Sequence, residues 1–364
     1  MSRTSSLIQA HLQLGQGPWQ TFDPFLFCVH HQDHYPPGDE QLAPNVDLTG
    51  RNIGSDFSQR DGWSMYHGQS VPGFPRHPHR GFETISIVRR GLIDHSDSLG
   101  ATARIGPGDV QWMTAGSGIV HAEMFPLVHS DKDNPTDFFQ LWLNLPASRK
   151  MSPPDFKMFW REEVPQVHLK DQHGRTSIVT VIAGEFADHK PPAPPKASWA
   201  HEPHADFGIW LIDMSSKAKI ELPVQPLGTH RVIYHVEGSD VGIGDAFLTS
   251  HQGALMREGL SHSVQAKQGS TTLLVLQARP ILEPVAQRGP FVMNTIGELR
   301  QAVYDYQRTQ FGGWPWHRSD PVHERKYSRF ARYPDGREHT PPISSTQPQI
   351  EEPNQTDGSL HRPF

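Results

Sequence analysis

Hydrophobic residues recur along this chain in short segments, some alternating with polar positions and some unbroken, with glycine or proline in most of the gaps. Ile85-Ser86-Ile87-Val88, Phe138 to Leu145, Ser177 to Ile182, Phe207 to Met214, Arg231 to Val236 and Thr271 to Leu276 have the length of strands and lie between Gly81 and Gly289. Regularly spaced segments of this kind predict a sandwich or barrel. Pro24 to Val29 reads as a further strand ahead of them. One segment changes period. Thr295-Ile296-Gly297-Glu298 has the form of a capping box, and Leu299, Val303 and Tyr306 follow at helical spacing until Gly312-Gly313. That predicts one amphipathic helix covering a β core. Beyond it, Trp314-Pro315-Trp316 begins an extended arm with Arg325, Lys326, Arg329, Arg332 and Arg337, and the stretch from Pro334 to Phe364 is expected to be disordered.

The two halves echo each other. Gly106-Pro107-Gly108-Asp109 to Thr114 and Gly242-Ile243-Gly244-Asp245 to Thr249 share the form G-x-G-D-x-x-x-T, and each is followed by G-x-x-H, at Gly118 to His121 and at Gly259 to His262. The gap between the two signatures differs by five residues. Two tandem copies of one β unit are expected. Counting back from the shared glycines sets His77, His79 and Glu83 against Val224, Pro226 and His230, and Glu123 against Val264. The polar constellation therefore belongs to the first copy.

Composition narrows the chemistry. Of 364 residues, 33 are Lys or Arg and 39 are Asp or Glu, a net charge of -6, which argues against a protein that grips nucleic acid by its phosphates. The single cysteine, Cys28, excludes an intramolecular disulfide framework and a cysteine-built zinc or iron–sulfur site. Histidine, at 23, is abundant, and it is the commonest metal ligand. No apolar run approaches the length of a membrane helix and the start lacks a secretory signal, so an intracellular protein, cytoplasmic or nuclear, is expected.

Residues two apart on a strand face the same side, so His77 with His79, and His121 with Glu123, can meet in one interior. Three neutral imidazoles and a carboxylate make a compact site for a divalent metal, with two positions open in octahedral geometry for substrate and O₂ or water. Glu83 shares the parity of His77 and His79 and competes with Glu123 for the fourth place. His30, His31 and His34 form a group that could bind metal but stands beside a Pro-Pro-Gly turn, and His201-Glu202-Pro203-His204 lacks helical metalloprotease spacing and is read as a loop. Lys190-Pro191-Pro192-Ala193-Pro194-Pro195-Lys196 is a linker or a long loop. Trp112 and Met113 line the interior or pack in a core.

His77-Pro78-His79-Arg80-Gly81-Phe82-Glu83-Thr84, the long run from Gly106 to Met124, and Gly289-Pro290-Phe291-Val292-Met293-Asn294-Thr295 resemble the motifs of the pirins, in the cupin superfamily, over roughly residues 20–312. The resemblance implies an all-β bicupin: two tandem antiparallel cupin β-barrels with a C-terminal helix and extended tail. The expected division is a metal-binding barrel over 1–150, a barrel without the motif over 151–290, a covering helix over 291–313 and an arm and tail over 314–364. It implies metal ligands His77, His79, His121 and Glu123, and so prefers Glu123 to Glu83. It also implies one metal, Fe(II), with Ni, Mn, Co, Cu or Zn as substitutes. Some pirins are flavonol (quercetin) 2,4-dioxygenases using O₂, and others are regulators that bind transcription factors or enzymes. The first reading is therefore a quercetinase-like oxidoreductase with Glu123 as proton acceptor, and the rival is a metal-loaded, redox-responsive binding module with a protein partner. The His30–His34 stretch and residues 36–62 are longer than in short pirins, which bears on the cavity mouth and the substrate.

Overall fold

The computed structural model describes residues 7–15 and 17–342. In the first half the alternating segments become β1 (Ile8–Gln13), β2 (Phe25–Tyr35), β3 (Gly73–His79), β4 (Phe82–Arg90) and β5 (Ile93–Asp97). They continue as β6 (Thr102–Ile105), β7 (Val110–Thr114), β8 (Ile119–Met124), β9 (Asn134–Asn144) and β10 (Asp155–Phe159). The second half supplies β11 (Gln166–Lys170), β12 (Thr176–Ala183), β13 (Gly208–Met214), β14 (Lys219–Leu222) and β15 (His230–Gly238). After them come β16 (Val241–Ile243), β17 (Ala246–Leu248), β18 (Gln252–Met256), β19 (His262–Ala266) and β20 (Thr271–Ala278). Where closed barrels were expected, each half is a cupin-like β-sandwich of two separate sheets.

The first sandwich faces the five-stranded sheet β10-β7-β4-β9-β2 against a six-stranded one in which β6-β5-β8-β3 are neighbours. Val88, Phe138 and Phe156 from one sheet meet Ile93, Ala103 and Ile105 from the other. The second sandwich packs β1-β18-β15-β20-β13-β12-β11 on β14-β19-β16-β17, with Val181, Ile212 and Leu273 against Ile220, Val241 and Val264. A third core lies between the halves. There Ile85, Ile87, Trp112 and Leu141 meet Ile209, Val232, Tyr234 and Leu276. The five-stranded sheet is thus covered on both faces, so β4 is buried without a break from Phe82 to Val88, polar residues included. Its parity still matters: Ile85 and Ile87 point to the second half, while Ser86 and Val88 point into the first sandwich. Trp112 belongs to the core between the halves and Met113 packs with Ala115 and Ile119, so both are packing residues.

β1 lies among the first 150 residues but pairs with β18, so it is an edge strand of the second sandwich. The repeat is real in topology, with one slip in the alignment. Gly106 to Asp109 turns between β6 and β7, whereas Gly242 to Asp245 runs from β16 into the turn before β17. By strand order those two turns are not equivalent. G-x-x-H does fall at equivalent places, ahead of or at the start of β8 and β19. In the ladders His77 stands opposite His121, and Leu222 stands opposite His262.

The helix α1 (Ile296–Thr309) starts with the expected capping box: Thr295 accepts from the Glu298 N–H, and Glu298 accepts from the Thr295 N–H at 2.8 Å. It ends at Gln310, in the left-handed region, just ahead of the glycines. Leu299 and Ala302 pack with Val120 of β8, with Phe311, and with Phe291 and Met293 of the hairpin β21 (Ala286–Arg288) and β22 (Phe291–Met293). The helix therefore covers the first half, beside the histidine-bearing strand. The proline-rich stretch 190–196 is a loop within the second half, followed by short 3-10 turns at Trp199–His201 and Pro203–Ala205.

The arm is more ordered than its composition indicates. β23 (Phe330–Arg332) extends the six-stranded sheet by pairing with β6, and β24 (Glu338–His339) pairs with β23. Residues 334–342 thus belong to the fold, and residues 343–364 lie outside the described residues. The physical reason is Arg104. Its fully buried guanidinium grips Asp94 through two hydrogen bonds of 2.7 and 2.8 Å, and donates to the carbonyls of His323, Glu324 and Tyr327. Asp94 in turn accepts from the His323 N–H at 2.7 Å. Removing one partner of a buried pair strands the other charge, so Arg104→Met is expected to destabilise the protein by ~3–5 kcal/mol. Urea unfolding measures this; a midpoint within error of wild type would show that the arm is held by its strand pairing alone. No described helix is long and apolar enough to cross a membrane.

Candidate metal centre

β3 and β8 pair antiparallel, and the ladder puts His77 directly opposite His121. His79 follows two residues on and shares the face of His77. The ring centroids of His77, His79 and His121 lie 4.4, 4.8 and 4.9 Å apart, and one ring nitrogen of each falls within 4.8 Å of the others. This is the one group of its kind among the described residues.

Each ring is arranged for a neutral, nitrogen-donating role. His77 Nδ1 donates to the Pro75 carbonyl at 2.9 Å, and His79 Nδ1 lies 3.4 Å from the Pro290 carbonyl. A backbone acceptor on Nδ1 leaves Nε2 as the lone-pair atom, the usual arrangement behind a metal-ligating histidine. His121 has neither ring nitrogen hydrogen-bonded, although it is fully buried. Burial depresses all three, His77 to about 4 and the others well below the usual imidazole range, with the neighbouring rings adding to the effect. An unpartnered buried imidazole costs stability, and a divalent metal removes that cost. The donor set fits one.

Glu123 follows on the same face of β8, with Oε2 3.8 Å from His121 Nε2. It is held from the opposite sheet: Ser86 Oγ donates to Oε1 at 3.1 Å and Gln140 Nε2 donates to Oε2 at 2.7 Å. Burial raises its pKa, opposed by His95, Gln140 and Ser86. The carboxylate is thus next to the triad but outside the tight three-histidine group.

Glu83 is elsewhere. The chain reverses at Arg80-Gly81, where Gly81 has φ +86° and an added Cβ would collide with the Val292 carbonyl. Across that reversal strand parity no longer holds. Glu83 opens β4 in the other sheet, accepts from Thr114 Oγ1 at 2.6 Å, and is pushed up to about 7 by burial. Lys150 fixes the reversal by donating to the Gly81 carbonyl and to Asn144 Oδ1.

Sequence reading missed Ser86, Gln140 and His95. Ser86 and Gln140 interrupt the apolar stretches Ile85 to Val88 and Phe138 to Leu143, and that interruption was the available signal. His95 lies opposite Glu123 on β5, and its Nε2 is 3.3 Å from Asp97. His30, His31 and His34 are not among the grouped ligands: His30 pairs with Asp137 at 2.8 Å and His31 with Tyr66 at 3.0 Å. His201 and His204 are exposed and also outside the group. His77 and His79 line a cavity of about 1110 Å³ whose wall also includes Phe27, Phe74, Trp142, Glu123 and Gln140.

The chain matches the Pirin family over residues 8–143 and the Pirin C-terminal cupin domain over residues 209–312. Human Pirin is 38% identical over 255 residues, which cover 68% of this chain and 80% of that protein. A Pseudomonas aeruginosa protein provisionally named quercetin 2,3-dioxygenase is 36% identical over 247 residues, covering 67% of this chain and 80% of its own length. The crystal structure of quercetin 2,3-dioxygenase from Acinetobacter baumannii superposes with a TM-score of 0.66 at 28% identity, over 84% of this chain and 98% of that one. With both sandwiches matched in order and the histidine motif seated in the first, the chain belongs to the pirin family.

Proposed function

We propose that this protein is a metal-dependent dioxygenase of flavonol-like, enolic or phenolic compounds, with one divalent metal held by His77, His79, His121 and Glu123. The observation that carries the reading is His121, buried with two unpartnered ring nitrogens beside two other imidazoles, His77 and His79, which themselves line a large cavity with aromatic walls. The names of the bacterial relatives support the substrate class. Bound there, Fe(II) would supply the Lewis acidity and redox capacity that couple an enolic substrate to O₂.

The chain's own residues do the rest. Phe74, Trp142 and Phe27 offer flat apolar faces to an aromatic ligand. Glu123, aimed by Ser86 and Gln140, takes the proton of the hydroxyl that approaches the triad. The same two donors keep the carboxylate oriented while the proton is held. The test is anaerobic stripping, reloading with Fe(II), and O₂ uptake against flavonols and other enediol-like compounds. Nitrogen and oxygen ligands favour Ni²⁺, Cu²⁺ and Zn²⁺ over Fe²⁺ in the usual affinity order, so mixed metal content is expected after ordinary expression. Elemental analysis checks this. Equal activity with Fe, Mn, Co and Ni would show that redox change at the metal is not essential. Failure to consume any such substrate in every metal form would move the site to a partner-regulating role.

A further inference from the structure

The cavity wall carries a second polar assembly that the metal chemistry does not use. β2 places His31 and Asp33 on one face, and the long connection from β2 to β3 folds back so that Tyr66 reaches both. The Tyr66 hydroxyl donates to Asp33 Oδ2 at 2.8 Å and lies 3.0 Å from His31 Nδ1. Gln59 Nε2 and the Ser64 N–H donate to Asp33 Oδ1 at 3.0 and 2.9 Å. Tyrosine has one hydroxyl proton, and Asp33 takes it. The tyrosine oxygen must then accept from His31, so the proton of His31 sits on Nδ1 and Nε2 keeps its lone pair. Nε2 has no hydrogen-bond partner among the described residues, and His31 lines the cavity.

The assembly is built at a cost. Tyr66 has φ +55°, a region that bulky residues avoid, and it is held there by paired backbone hydrogen bonds of 2.8 Å with Asp56. Arg51 braces the same loop, donating to Asp56 Oδ2 at 2.9 Å and to the Trp63 carbonyl at 3.0 Å. The His31 ring is clamped as well, stacked on Phe138 with centroids 4.6 Å apart. Burial holds His31 down at about 3 and pushes Asp33 up to about 6. At neutral pH the imidazole is uncharged and the carboxylate behind it is mostly ionised, which fixes the direction of the chain. Phe74 stands between this assembly and the triad, with its ring centroid 5.8 Å from His31 and 6.3 Å from His77.

We propose that His31, set by Tyr66 and Asp33, is a second ligand subsite that accepts a hydrogen bond from a phenolic hydroxyl on the far end of an aromatic ligand lying along Phe74. The near end of that ligand reaches the histidine triad, and in this respect alone the proposal rests on the flavonol reading. The subsite favours a neutral donor. A carboxylate would meet a lone pair with Asp33 behind it and would be turned away.

The experiment uses full-length zinc-loaded protein under argon, so that binding is read without turnover. Three probes are titrated: quercetin, which has hydroxyls at both ends; 3-hydroxyflavone, which has only the near-end hydroxyl; and phenol. Quercetin is expected to bind roughly tenfold more tightly than 3-hydroxyflavone, the worth of about one net hydrogen bond. His31→Phe, which keeps a flat ring, should erase that preference. In ¹⁵N-histidine-labelled wild type, phenol alone should shift the His31 Nε2 resonance, a measurement that needs no variant to fold. If phenol moves that resonance and neither flavonol binds, the subsite stands and the flavonol reading falls. If quercetin keeps its preference in His31→Phe, or if phenol leaves the resonance unmoved, the subsite is overturned, and the flavonol reading is then judged by O₂ uptake.

Discussion

Glu123→Gln is expected to retain most of its metal and to lose flavonol turnover by ~10²-fold or more, the range typical of a missing general base. The geometry is the reason. Three histidines already form the tight group, while Glu123 stands at its edge, 3.8 Å from His121 Nε2. Glutamine keeps the length and one oxygen, so Ser86 or Gln140 can still find an acceptor; what disappears is the capacity to take a proton. The control is Glu83→Gln. Glu83 lies in the opposite sheet with Thr114, so this variant should leave metal content and turnover near wild type. Metal analysis beside O₂ uptake separates the outcomes. If Glu83→Gln abolished metal binding while Glu123→Gln left both properties intact, the carboxylates would have to be exchanged.

The second large effect is the loss of the metal itself. His77→Ala combined with His121→Ala removes two of three nitrogens that face each other across one ladder, and leaves His79 with a single carboxylate nearby. Metal content should fall from about one equivalent to background, with turnover following it. The fold should persist, because removing the unpartnered buried imidazole of His121 relieves a desolvation cost that offsets part of the cavity opened and of the lost His77–Pro75 hydrogen bond. Mass spectrometry for metal, with circular dichroism for the fold, reads both. Stoichiometric metal in a folded double variant would refute the site.

Much of this was readable in the chain, and the exceptions have physical causes. The histidines were legible because strand period is fixed at two, so H-x-H and H-x-E each declare a shared face. Glu83 was misplaced by the same rule, applied across a glycine that ends the strand. The G-x-G-D match failed because glycine-aspartate turns recur wherever short strands reverse. The five-residue discrepancy in its spacing to G-x-x-H was the mark of two different turns. Sandwiches and closed barrels share one alternating pattern, since alternation reports faces and not closure. The arm was opaque for another reason. Its composition is that of a solvated tail, and its order comes from Arg104 and Asp94, more than 200 positions earlier. Ser86 and Gln140 needed the opposing sheet to acquire a meaning.

The crossing of the first strand has a consequence for the timing of synthesis. Ile8 pairs with Met256, so β1, the first described strand, has no partner until nearly the whole of β18 has followed it from the ribosome. At about 5–20 residues per second, that wait is roughly 12–50 s. During it, Ile8 and Leu12, both buried in the finished protein, face water or a chaperone. The strands that carry the histidines, β3 and β8, emerge in that interval, whereas β23, which extends the same sheet, follows only after β18. A translation product stopped before β18 would carry an orphaned strand, and the second half alone would present the bare edge of β18, each an invitation to pair with the wrong chain.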